Sequence, residues 1–186
     1  NYFDGKAAKP YHISTGLPAQ RKFWEKKIIE AIKINDAVVI RSSSGQGKST
    51  LAWRVGFLLM DKYKIYQLHN LKTWEQANST MEFLQSRVLL GEFPMVIIDG
   101  LNSEVDHWQM LVERTSLLPV RYIITSRHED WVRYGADISS VSLQPIDISI
   151  DKDEAEDIYN QFKQKEKLHH EIKDWQPISE QELDNG

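Results

Sequence analysis

Short apolar runs alternate along the chain with longer stretches in which apolar residues recur every three or four positions. Ala37-Val38-Val39-Ile40-Arg41 is continuous and β-branched, the pattern of a strand buried on both faces. Similar runs predict strands over residues 64–69, 94–99, 120–126 and 140–144. Between them, helical spacing predicts helices over 19–33 (Phe23, Trp24, Ile28, Ile29, Ile32), 49–60, 73–90 (Trp74, Ala77, Met81, Leu84, Val88, with Thr73 as a cap) and 105–118 (Trp108, Leu111, Val112, Thr115). A short helix follows at 128–134, and a last one at 153–167 with Ala155, Ile158, Tyr159 and Phe162 inward. Strands alternating with helices predict an α/β, three-layer fold: a five-stranded, mainly parallel sheet between helices. Gly5, Pro10, Gly16 and Pro18 mark a looped lead-in over 1–18. The organisation expected is that lead-in, one domain over 19–167, and a polar acidic tail over 168–186.

The chemistry concentrates after the first strand, in Ser42-Ser43-Ser44-Gly45-Gln46-Gly47-Lys48-Ser49-Thr50. This is the phosphate-loop pattern, Gly, four residues, Gly-Lys-Ser/Thr, with Ser42 where the first glycine belongs. Small residues let backbone N–H groups wrap a phosphate, and the helix that follows aims its positive end at the same anion. Lys48 supplies a charge for the β- and γ-phosphates, and the Ser49 hydroxyl suits Mg²⁺. A chance Gly/Ser loop would not sit between an apolar strand and an apolar helix. Residues 44–50 are therefore the expected binding site for a nucleoside triphosphate, ATP or ADP with Mg²⁺. Asp99 closes the strand Met95-Val96-Ile97-Ile98-Asp99 and suits a Mg²⁺ contact made through water, although Asp99-Gly100 is also a good turn pair. Arg127, at the end of Ile123-Ile124-Thr125-Ser126-Arg127, could reach a γ-phosphate; a surface ion pair is the competing reading.

Composition changes the picture only at the margins. With 186 residues, 27% charged and a net charge of −4, nothing favours broad nucleic-acid or membrane binding. Residues 151–186 hold eleven acidic against five basic residues, a solvated acidic end. The chain has no cysteine, which excludes a disulfide scaffold and is compatible with the cytoplasm. The six histidines show no metal-ligand spacing. Trp24, Trp53, Trp74 and Trp108 fall on apolar stripes and read as core. Trp131 and Trp175 read as interface candidates, and Lys26-Lys27 and 163–167 as solvated faces. The first residue is Asn rather than Met, which suggests a piece of a longer protein.

Three strings, SSSGQGKSTLA (42–52), MVIIDGLN (95–102) and RYIITSR (121–127), together resemble the STAND class of P-loop NTPases. VSLQPIDISIDKDEAEDIYNQF (141–162) resembles the strand-loop-helix of that class. The resemblance implies an ATP-dependent signalling switch, as in NACHT-type and antiphage sensors, with slow hydrolysis. It further implies self-association through the NTPase domain on activation, and flanking sensor and effector domains. The class often carries two acidic residues shortly after the strand aspartate. Here Asn102 and Ser103 stand there and Glu104 lies one place late, so hydrolysis is a weaker expectation than binding. Glu104 or Asp99 would orient the attacking water. The Gly-Arg pair that often precedes the first helix is replaced by Gly16-Leu17, which leaves Ile13 to Leu17 as the adenine contact. An AAA-type motor or loader on DNA or protein, with Arg114 or Arg121 acting in trans, and a non-hydrolysing nucleotide-binding module are the alternatives.

Overall fold

The computed structural model describes residues 10–16, 18–135, 138 and 140–174, with the backbone alone for Pro10 and 166–174. Its elements run α1 (Pro10–Ser14), α2 (Lys22–Ile34), β1 (Ala37–Arg41), α3 (Lys48–Leu58), β2 (Lys64–Leu68), α4 (Trp74–Leu89), β3 (Pro94–Asp99), α5 (Trp108–Arg114), β4 (Arg121–Ser126), α6 (His128–Tyr134), β5 (Leu143–Asp147) and α7 (Lys152–Asp174). The five strands form one parallel sheet in the order β2-β3-β4-β1-β5. The expected three-layer α/β fold is the one observed.

Successive strand residues point to opposite faces, and this divides the apolar runs between two cores. Val39, Val96, Ile98, Tyr122 and Ile124 pack with Ala77 and Leu84 of α4 and Trp108, Leu111 and Val112 of α5. Val38, Ile40, Met95, Ile97 and Ile123 pack with Ile28 and Ile32 of α2 and Leu51, Ala52 and Val55 of α3. A strand covered on both faces has no polar side, which is why these runs lack alternation.

Several expectations shift. Residues 10–14 of the expected loop are helical, starting at Pro10, which suits a first helical position because its missing N–H has no partner there anyway. β5 lies at 143–147, not 140–144. Pro145 does not interrupt it, because β5 is an edge strand paired only with β1. The helix expected over 105–118 divides into a 3-10 turn, Ser103–Val105, and α5. The Asn102 side chain caps that turn by accepting from the Glu104 N–H at 2.7 Å. Thr73 caps α4 in a reciprocal box with Gln76. α7 continues past 167 to Asp174.

Among the aromatics, Trp74 is exposed rather than core, with the Arg114 guanidinium 5.1 Å from its ring. Trp131 is half-buried 6.0 Å from Trp108 rather than exposed. Phe23 and Tyr159 face outward. Lys165 is not simply solvated: it donates to the Pro18 carbonyl at 3.0 Å. Trp175 and Leu17 lie outside the described residues. Among the described residues no helix is long and apolar enough to cross a membrane.

Candidate functional site

The parallel sheet brings the carboxyl ends of β1, β3 and β4 to one edge, where ligands of such sheets bind. Register fixes the neighbours: Asp99 lies beside Thr125, and Arg41, the last residue of β1, beside Ser126. The loop 42–47 leaves β1 at this edge and opens α3 at Lys48. Gly45 (φ +78°) and Gly47 (φ +76°) are both left-handed, and among the described residues only glycines take a positive φ. Left- and right-handed residues in alternation turn successive N–H groups into one concavity, a cradle for an anion. Ser42 needs no such conformation. Serine in place of the usual first glycine thus causes no backbone strain, and its buried hydroxyl donates to the Ser43 carbonyl at 3.1 Å.

The Lys48 ammonium lies within the loop, donating to Ser43 O at 2.7 Å, Ser42 O at 3.1 Å and Ser42 Oγ at 3.2 Å. Burial, and next the positive charge of Arg127, lower its pKa below the usual lysine value. Ser49 Oγ donates to Asp99 Oδ1 at 2.7 Å, and Thr125 Oγ1 donates to the same oxygen at 2.9 Å. Residues 50 positions apart in sequence thus place a hydroxyl and a carboxylate side by side beneath the loop. Such hard oxygen donors fit Mg²⁺, which takes few protein ligands and completes its shell with water and phosphate oxygens. The cradle, the lysine and this oxygen pair fit a triphosphate and its cation together.

The remaining candidates divide. Arg127 follows β4 directly, at the start of α6 on the same edge, and its charge acts on Lys48. Its side chain, 54% exposed, pairs with Asp130 at 3.0 Å and Glu129 at 3.7 Å. Glu104 pairs with Lys72 at 2.6 Å, on the side of β3 facing β2 and away from β1. Gln46 is occupied structurally: its Oε1 accepts from the Ile150 N–H at 3.1 Å. Ser44 and Gly45 are exposed, and Thr50 half-buried. Ile13, within the expected adenine stretch, is buried. Arg121 opens β4 at the opposite edge of the sheet and pairs with Asp36 at 3.1 Å.

Two features escaped the sequence. Thr125 stands in a string already singled out, yet only its register against Asp99 reveals its contact. Arg21, just before α2, is 7% exposed and donates to the Gln46 carbonyl at 2.8 Å. A lone arginine before an amphipathic helix carries no signal of burial. Its backbone N–H is held by Glu25 at 3.0 Å, and Glu25 in turn pairs with the buried Arg54 of α3 at 2.5 Å.

No protein-family model and no curated protein matches the chain. Solved structures do. The HORMA:CdnC:Trip13 complex of E. coli MS115-1 is similar at a TM-score of 0.55 and 10% identity, over 84% of this chain and 71% of that one. Rhizobiales Trip13 is similar at a TM-score of 0.50 and 13% identity, over 76% and 67%. These are likenesses of fold alone, in keeping with the three-layer α/β architecture and its parallel five-stranded sheet.

Proposed function

We propose that this chain is a nucleotide-binding domain that holds ATP, or ADP after turnover, with Mg²⁺. The observation that carries this reading is the 2.7 Å contact between Ser49 and Asp99 beneath a left-handed glycine loop with Lys48 inside it. Residues 44–50 bind the phosphates, Lys48 supplies the charge, and Ser49 with Asp99 holds the cation. Bound Mg²⁺ supplies charge neutralisation on the β- and γ-phosphates. Residues 19–167 form the NTPase domain of a longer signalling or defence protein in which flanking segments sense and respond.

Slow hydrolysis is the second element of the proposal. Asp99 is followed by Gly100 rather than an acid, and Glu104, the next carboxylate, is engaged by Lys72. Arg127 is assigned to the γ-phosphate on its position beside Lys48. Two modes of action remain. The STAND-like strings support a switch. The likeness in fold to the Trip13 structures supports an AAA-type motor or loader acting on protein or DNA, and it is the stronger support. The HORMA:CdnC:Trip13 structure is a multi-protein assembly, which supports in principle the self-association through the NTPase domain that this reading includes.

Calorimetric titration with Mg-ATP, beside steady-state phosphate release, tests both elements. Lys48→Ala should lose most of the affinity. Turnover of about 1 s⁻¹ or faster would establish the motor reading at the expense of the switch.

A further inference from the structure

Arg21 is nearly buried, although it stands at a helix start. A guanidinium taken out of water is tolerated when its donors are met, and here they are met by two different parts of the chain. Nε and Nη2 form a fork to Glu154 Oε1 and Oε2 at 2.7 and 2.8 Å. Nη2 also donates to Ser149 O at 3.0 Å. Nη1 donates to Gln46 O, in the phosphate loop, at 2.8 Å.

That last bond acts on the neighbouring N–H. The Gln46 carbonyl and the Gly47 N–H belong to one planar trans peptide, so they point in opposite directions. A carbonyl held toward Arg21 turns the Gly47 N–H the other way. Nothing in the covalent chain enforces this choice. Gly47 has no Cβ, and it accepts either sign of φ, so the peptide can turn over at little steric cost. The Gln46 side chain adds a second hold through the Ile150 N–H. Both holds come from outside the loop: Arg21 before α2, Ser149 and Ile150 in the segment joining β5 to α7, and Glu154 in the first turn of α7. α7 is further tied to the same side by Gln161, whose Oε1 accepts from the Gln20 N–H at 2.9 Å.

We propose that Arg21 is a positioning residue for the triphosphate: it locks the Gln46–Gly47 peptide with its N–H available to phosphate, and Glu154 makes that lock depend on the placement of α7. The proposal rests on the nucleotide-binding reading above. Movement of α7 away from α2 withdraws Glu154 and the 149–150 backbone together, frees Arg21, and lets the loop peptide turn. Phosphate affinity then falls without any change in Lys48, Ser49 or Asp99. Whatever repositions α7 thereby controls nucleotide release.

The test uses the whole chain in calorimetric titrations with Mg-ATP and with inorganic tripolyphosphate, for wild type, Arg21→Lys, Glu154→Gln and Lys48→Ala. Lysine keeps the charge at position 21 but cannot reach Gln46 O, Ser149 O and Glu154 at once. Arg21→Lys and Glu154→Gln are expected to weaken both ligands by about tenfold, the order of one charge-assisted hydrogen bond. The loss should be equal for the two ligands, since the defect lies in the phosphate cradle and not at the base. The double variant should be no weaker than Arg21→Lys alone, because the two residues serve one lock. A merely structural pair would lower the unfolding temperature and leave tripolyphosphate affinity intact. Wild-type affinity in folded Arg21→Lys and Glu154→Gln, with binding lost in Lys48→Ala, overturns the lock alone. A wild type that binds neither ligand overturns the nucleotide reading and the lock with it. If Arg21→Lys does not fold, Glu154→Gln, which leaves the arginine in place, decides by the same criterion.

Discussion

Replacing Lys48 by alanine separates its service to a ligand from its service to the fold. Three acceptors of the loop itself, Ser43 O, Ser42 O and Ser42 Oγ, surround the ammonium at 2.7 to 3.2 Å. A phosphate must draw the donors away from these carbonyls, so the net gain is less than that of a lysine taken from water. A charge-assisted hydrogen bond contributes about 1.5–3 kcal/mol; with that competition, about 2 kcal/mol is expected, a roughly 30-fold rise in Kd for Mg-ATP. The fold should hardly notice. Burial lowers the Lys48 pKa, so protonated Lys48 is a cost to the folded state. That cost is present below the lowered pKa and disappears as pH rises toward the unfolded value of 10.5. Lys48→Ala should therefore unfold within about 3 °C of wild type without ligand. Wild-type affinity for ATP should fall as pH rises through the lowered pKa, because the lysine loses its charge. The variant should show no such limb. Calorimetry across pH, with thermal melts of ligand-free samples, supplies both readings. An affinity for Mg-ATP within about twofold of wild type in the folded variant would refute the assignment of the site.

Asp99→Asn keeps the acceptor for Ser49 and Thr125 but removes the charge; titrations with Mg²⁺ and with a chelator should show the Mg²⁺-dependent part of ATP affinity reduced by about tenfold, with the metal-free part unchanged. An unaltered Mg²⁺ effect would remove Asp99 from the cation site. Arg127→Ala should lower the ratio of ATP to ADP affinity by only about threefold, because its half-exposed charge is shared with Asp130 and screened by solvent. An unchanged ratio would leave Arg127 as the residue that ties the first turn of α6. Trp108→Ala empties the centre of the α4–α5 core and removes the 2.8 Å hydrogen bond to the Tyr134 carbonyl, leaving it only the longer one from Gln109 Nε2 at 3.4 Å. Denaturant unfolding should show a loss of about 3–5 kcal/mol, and a loss below about 1 kcal/mol would contradict its place in that core.

Fold class and the glycine-bearing loop after β1 were legible in the sequence for the same reason. A strand buried on both faces must be apolar at consecutive positions, so 37–41, 94–99 and 121–126 stand out without any structure. The loop that follows the first of them is a local device, made by its own backbone and by the handedness of Gly45 and Gly47. Edge and boundary features were less legible. β5 lies three residues beyond the run 140–144 that predicts it, and its position at the sheet edge lets Pro145 stand within it. Trp74 and Trp131 exchanged their expected environments because helical spacing marks a face but not whether a neighbour covers it.

The sequence by itself determined the alternation of strands and main helices, the two-sided burial of the strands and the glycine-bearing loop between β1 and α3. Each of these depends on residues near one another in the chain. Tertiary structure alone decided which distant groups meet around that loop. Strand register put Thr125 against Asp99, the approach of α3 brought Ser49 to the same carboxylate, and α7 delivered Glu154 to Arg21. Register and helix placement are set by the fit of both cores at once, and that fit belongs to no local stretch of residues.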